Sequence, residues 1–221
     1  MNDFNQITFG KIAVILLIVF FGGNSLGLAQ GSNKTIDEIR KCFSGYKQSI
    51  MDQNGVEAIE FIDLNILEYY GNMLDKIKFA NQAEIDSMSM FDKLMIITVR
   101  HNSTTEDLNA FTPKSLFIKA VDEAWVGKET IANMNIGEVE VEKKHAKGYL
   151  QSSGQPIPFY FMFSKQAGLW KIDLKSVTPI INFFLEHMAQ QSGISQNELI
   201  IQLVEILSGR AVSGNIWQPT Q

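Results

Sequence analysis

NMNIGEVEVEKKHAKGYLQSSGQPIPFYFMFSKQAGLWKIDLKSV, residues 133–177, is the stretch that decides the fold. Its hydrophobic pattern alternates every second residue and is broken twice by glycine-bearing turns, the mark of an antiparallel meander. Val139 and Val141 fall on one side of a first strand, with Glu138, Glu140 and Glu142 on the other. Ala146, Gly148 and Leu150 alternate with His145, Lys147 and Tyr149; Trp170, Ile172 and Leu174 alternate with Lys171, Asp173 and Lys175. Such strands belong to a sheet with one face on a core and one face in water. The third strand, Ile157 to Phe163, is apolar on both faces. It requires a cover on each side, supplied either by the C-terminal helices or by a second subunit.

Outward from this block the period becomes helical. Thr35 and Glu38 stand at capping-box spacing before an apolar stripe of Ile36, Ile39, Phe43, Tyr46 and Ile50. Asp52-Gln53-Asn54-Gly55 ends that helix, and a second runs from Val56 to about Phe79, with Gly71 as the point of a kink or division. Asn81 and Glu84 start a further helix, Met88 to Val99 reads as a buried one, and residues 100–105 as a polar loop. Thr112-Pro113 opens the next. After the sheet, Pro179 and Ser195 begin two helices that Gly193 and Gly209 stop. The expected class is α+β, with N-terminal helices on a curved four-stranded antiparallel sheet and a two-helix extension over residues 179–210. Residues 30–210 read as one domain and 211–221 as a flexible tail.

The N-terminus reads as an export signal. A polar start ending in Lys11 precedes the apolar run Ile12 to Phe21, and small residues follow up to Ala29. Gly27 and Ala29 would flank a cleavage site, releasing a chain that begins at Gln30 in a periplasmic or extracellular space. The alternatives are an uncleaved anchor, for which the run falls short of the roughly 20 apolar residues of a spanning helix, and a buried core helix. The lone Cys42 cannot form an internal disulfide and sits on the apolar face of the first helix. A formal charge of −5, with no basic cluster, argues against nucleic acid as a partner.

Helices followed by a meander whose carrying residues are Phe159 to Phe163, the turn Lys165-Gln166-Ala167-Gly168 and Trp170 to Leu174 resemble the nuclear-transport-factor-2-like (NTF2-like) superfamily of cone-shaped α+β domains. The resemblance spans residues 35–178. It implies a cone that in some members is an isomerase, dehydratase or polyketide cyclase pocket holding an Asp, His or Tyr among apolar walls.

The residues themselves offer little such chemistry. Asp173 lies on the charged face between Lys171 and Lys175, and the three histidines, His101, His145 and His187, are far apart in the chain. No catalytic residue, cofactor or metal ligand set is therefore assigned, and the Glu138, Glu140 and Glu142 row lacks the glycine-bearing loop of a calcium site. Tyr69, Tyr70, Phe161, Trp170 and His101 are the candidates for lining a ligand pocket. The expected function is a non-catalytic binding domain for a small apolar ligand or an envelope protein. A homodimer built on the Phe159 to Phe163 strand and a cone-fold isomerase or cyclase-like enzyme are the alternatives.

Overall fold

The computed structural model describes residues 32–125 and 128–220. The expected signal segment and its cleavage point lie outside them. The architecture is α+β, with helices packed on a curved, unclosed four-stranded antiparallel sheet. The strands β1 Met134–Glu142, β2 His145–Ser152, β3 Gln155–Gln166 and β4 Leu169–Asp173 pair in sequence order. Two of the hairpin turns use consecutive left-handed residues, Ser153 (φ 50°) with Gly154 (φ 77°) and Ala167 (φ 48°) with Gly168 (φ 85°). That geometry matches the right-handed twist of the strands it joins.

Two irregularities curve the sheet. Ile136 pairs with Leu150 and Val139 with Gly148, so Gly137 and Glu138 together face Tyr149. The bulge turns both Ile136 and Val139 into the core although they are three residues apart. Between β2 and β3 the register slips from Tyr149–Tyr160 to Gln151–Pro156. Pro158, which has no amide to give, falls in that slip.

The first helix, α1 Asn33–Met51, crosses the inner face of the sheet. Its cap is Ser32, whose side chain accepts from the Thr35 amide, and not the expected Thr35–Glu38 pair. The next helical region divides well before Gly71. After α2 Gly55–Ala58 and a 3-10 turn at Ile59–Phe61, the chain extends so that Ile62 bridges Ile172 in parallel and the Asp63 amide donates to the Ile172 carbonyl at 2.8 Å. This covers the exposed edge of β4. Helix α3 Asn65–Phe79 then runs unbroken through Gly71.

Helices α4 Gln82–Asp86, α5 Met90–Asn102, α6 Thr105–Ala110 and α7 Pro113–Asp122 follow. The Asn81–Glu84 capping box and the Thr112-Pro113 start are both present. The expected polar loop at residues 100–105 is instead the end of α5 and, after Ser103, a second capping box between Thr104 and Asp107. A short helix α8 Lys128–Ala132 leads into β1, and α9 Thr178–Ser192 and α10 Gln196–Ser208 close the chain, each stopped by a left-handed glycine. Among the described residues no helix is long and apolar enough to cross a membrane.

The buried side chains form two clusters. The first lies between the sheet, α1 and the residue 58–66 segment, around Phe43, Ile62, Phe117, Phe163 and Ile172. The second is all-helical, with Ile77 of α3, Ile96 and Ile97 of α5, Leu185 of α9 and Ile200 of α10. Helix α3 serves both, giving Ile66 to the first and Met73, Leu74 and Ile77 to the second. Residues 211–220, expected as a free tail, are held against the second cluster. Ile216 is 9% exposed, and the Thr220 amide donates to the Lys78 carbonyl at 3.1 Å.

Candidate functional site

The five residues singled out as pocket candidates occupy three separate places. Phe161 and Trp170 point to the inner face of the sheet, where α1 covers them. Phe161 packs its ring 5.7 Å from that of Phe43, and Trp170 is 5% exposed with its carbonyl accepting from the Cys42 thiol at 3.1 Å. Tyr69 and Tyr70 sit on α3 at the junction of the two clusters and touch both. The Tyr70 ring meets Phe117 edge-on at 6.1 Å, and the Tyr69 hydroxyl bonds Asp92 at the first turn of α5. His101 is at the far end of α5, about 13 Å along the axis from Asp92 at 1.5 Å per residue. It pairs there with the Ser208 hydroxyl at 2.9 Å. Burial and the neighbouring Arg210 hold its pKa below the usual histidine value against the pull of Glu205.

The inner face of the sheet is filled by side chains. Phe43, Phe163, Ile39 and Ile172 are all at most 1% exposed between α1 and the strands. Two surface clefts stand elsewhere. One of about 390 Å³ is lined by Asn72, Asp75, Lys76, Phe79, Ala80 and Glu84. The other, of about 340 Å³, is lined by Asn33, Ile36, Asp37 and Arg40. None of the five candidates lines either.

One polar cluster escaped the sequence reading. His145, Ser164 and Lys171 are register partners across β2, β3 and β4 on the outer face. Beside them Asp63, 5% exposed, accepts from the Ser164 hydroxyl at 2.7 Å and from the Asn65 amide at 2.9 Å. Burial alone would raise the pKa of Asp63, but the Asn65 amide and the Ser164 and Gln166 side chains outweigh it and hold the carboxyl below its usual range. A carboxylate so stabilised is a poor acceptor for a hydroxyl proton. This arrangement anchors the 62–64 segment on the sheet. The only sequence signal for it was a lone carboxylate between Ile62 and Leu64. Asp173 is likewise structural, since its side chain caps the 3-10 turn Leu174–Val177 through the Lys175 amide. Among the described residues no three or more His, Cys, Asp and Glu side chains are grouped to hold a metal ion.

The outer side of β3 is only partly covered. The Met162 amide donates to Ser176 Oγ at 3.1 Å, and Tyr160 and Met162 remain half-buried. The Lys147 ammonium lies 4.1 Å from the Tyr160 ring and 4.6 Å from that of Tyr149, and the Tyr149 hydroxyl donates to Glu140. At the slipped register near Pro158 the strand meets α9. There Phe184 packs on Phe159 with ring centres 5.0 Å apart, Phe183 meets Phe184 edge-on at 5.7 Å, and His187 stacks flat on Phe183 at 6.0 Å. Phe183 is 63% exposed. Helix α9 is thus apolar on two sides: Leu185 and Ala189 enter the helical cluster, while Phe183 faces water. Phe159 and Phe184 are half-buried beneath it.

No family model, curated relative or solved structure matches the chain.

Proposed function

We propose that this chain is an exported, non-catalytic binding domain of NTF2-like build whose partner is another protein. The carrying observation is that the inner face of the sheet is packed with its own side chains, whereas Phe183 and His187 stack in the open on a half-buried base of Phe159 and Phe184. A small apolar ligand needs a preformed cavity walled by apolar side chains, and Phe161 and Trp170 already spend their surface on Phe43 and Cys42. A protein partner needs a central aromatic anchor with a polar surround, which Phe183 supplies with the exposed Glu186 and His187 one helical turn on.

The family reading is supported by the meander order and by a long helix laid across the concave face. Export is supported by the Ile12 to Phe21 run and the small residues before Ala29. N-terminal sequencing of the exported protein tests the latter: the first residue is Gln30, and an intact Met1 would refute cleavage.

A second reading, a homodimer, is favoured by one observation. Phe159, at the start of the strand expected to build such an interface, packs on Phe184 directly beneath the exposed Phe183. Light scattering on the purified chain and on Phe183→Ser separates the two readings. A dimer that the substitution dissolves makes the partner a second copy. A monomer in both leaves a different protein as the partner.

A further inference from the structure

The segment after Gly209 is not part of any regular element, yet it is seated in a groove between the end of α3, α5 and α10. Three of its contacts are made by its main chain. The Val212 amide donates to Glu205 Oε1 at 3.0 Å, the Ile216 carbonyl accepts from Arg100 at 3.0 Å, and the Thr220 amide donates to the Lys78 carbonyl at 3.1 Å. The Ile216 side chain is 9% exposed and Trp217 packs beside it on the helical cluster. A groove that holds a segment by its backbone and by a few apolar side chains, here Val212, Ile216 and Trp217, recognises peptide through main-chain bonds, with specificity in the side-chain pockets.

Arg100 gives the groove a definite preference. It is 5% exposed, and its guanidinium is held by the carbonyls of Lys76, Ile77 and Ala80 as well as that of Ile216. Every one of these acceptors is neutral. Hydrogen bonds from a guanidinium to a carboxylate are shorter and roughly twice as strong as those to a neutral oxygen. The last turn of α3 adds Lys76 and Lys78 to the surroundings. A segment presenting a carboxylate where the Ile216 carbonyl now lies, beside an aliphatic side chain, fits the site better than the strap that fills it.

We infer that residues 211–220 are an autoinhibitory strap over a peptide groove, and that the groove takes the carboxy-terminus of a partner protein ending in an aliphatic residue. The strap competes from the same chain at an effective concentration in the millimolar range, so only a ligand with the stronger carboxylate contact displaces it. This surface lies on α3, α5 and α10 and stands or falls separately from the aromatic contact on α9.

Hydrogen–deuterium exchange on the full chain and peptide binding test it together. The amides of Val212 and Thr220 exchange at least ten-fold faster than those of α3 and α5, because the strap opens without the core. A labelled hexapeptide of residues 211–216 with a free carboxyl end binds the strap-released chain Ile216→Ser about ten-fold tighter than its amidated form. It also binds that variant tighter than the unaltered chain. Exchange of the strap in step with the core, unfolding of Ile216→Ser, or equal binding of the two peptides would each overturn the inference.

Discussion

The hydroxyl of Tyr69 donates to a carboxylate oxygen of Asp92, tying α3 to the first turn of α5 where the two hydrophobic clusters meet. Asp92 also accepts from the Ser89 hydroxyl at 2.7 Å, so the carboxylate bridges a helix cap and a neighbouring helix. Substitution Tyr69→Phe removes one bond to a charged acceptor and leaves the cap in place. The expected loss is about 2 kcal/mol of unfolding free energy, read from the urea midpoint. An unchanged midpoint would show that the two clusters are joined by packing alone.

Alkaline pH should unfold the chain before it affects most of its charges. Burial pushes the Cys42 thiol from 9.0 up to about 12, against the opposing field of Lys171, and the Tyr70 phenol from 10.0 to about 12. Burial, with Tyr70 nearby, also raises Tyr46 above the ordinary tyrosine value. Each group holds its proton more tightly folded than unfolded. Their contribution is therefore complete below pH 9 and is lost as the pH rises toward 12. Each titrating group adds a slope of about 1.4 kcal/mol per pH unit. Denaturant midpoints between pH 8 and pH 11 check this on the order of those magnitudes, and a flat profile would contradict the burial of all three.

Gly55 is held against the backbone of α7. Its amide donates to Asp122 at 2.7 Å, and a Cβ there would lie 2.4 Å from the Ile118 carbonyl oxygen. Backbone cannot step aside as a side chain can, so Gly55→Ala should cost at least about 3 kcal/mol, the upper end for overpacking. Thermal unfolding measures it, and a cost under about 1 kcal/mol would mean that α2 and α7 separate easily.

Arg100→Met should destabilise more than Tyr69→Phe. It strands the carbonyls of Ile77 and Ala80, which now accept from the guanidinium at 2.7 Å each. Buried carbonyls left unpaired cost about 1–3 kcal/mol apiece. Arg100→Lys, with a cation but no fork, should fall between the two in a urea titration.

The fold was legible where a residue's place depends on its neighbours in the chain. The two-residue alternation of Val139, Val141, Ala146, Leu150, Trp170, Ile172 and Leu174 named the inner face, and all but Val141 and Leu174 are buried there, whereas the third strand, apolar on both sides in the sequence, turns Phe161 and Phe163 to that face only in the structure. It failed where distant segments decide. Gly71 looked like the break in the second helix, but the chain breaks at Ile62 because Ile172 offers it a bridge. Arg100 read as the start of a loop, yet four carbonyls from α3 and the chain's end bury it inside a helix. Thr35 had the right spacing for a cap, but Ser32 lies one turn earlier and takes the amide. The surface cluster was half visible. Phe183 and Phe184 fall within the helix expected after Pro179, but nothing in the spacing told that Phe159 would meet Phe184, since that contact depends on the slip at Pro158.

The central claim, a protein-binding surface centred on Phe183, is tested most directly by native mass spectrometry of the chain purified from its own host, alongside Phe183→Ser with an unchanged melting temperature. The account predicts a stoichiometric protein complex, either with a second copy or with another chain, that the substitution abolishes, and no retained small molecule. A monomer carrying a small apolar ligand, unaffected by the substitution, would contradict it.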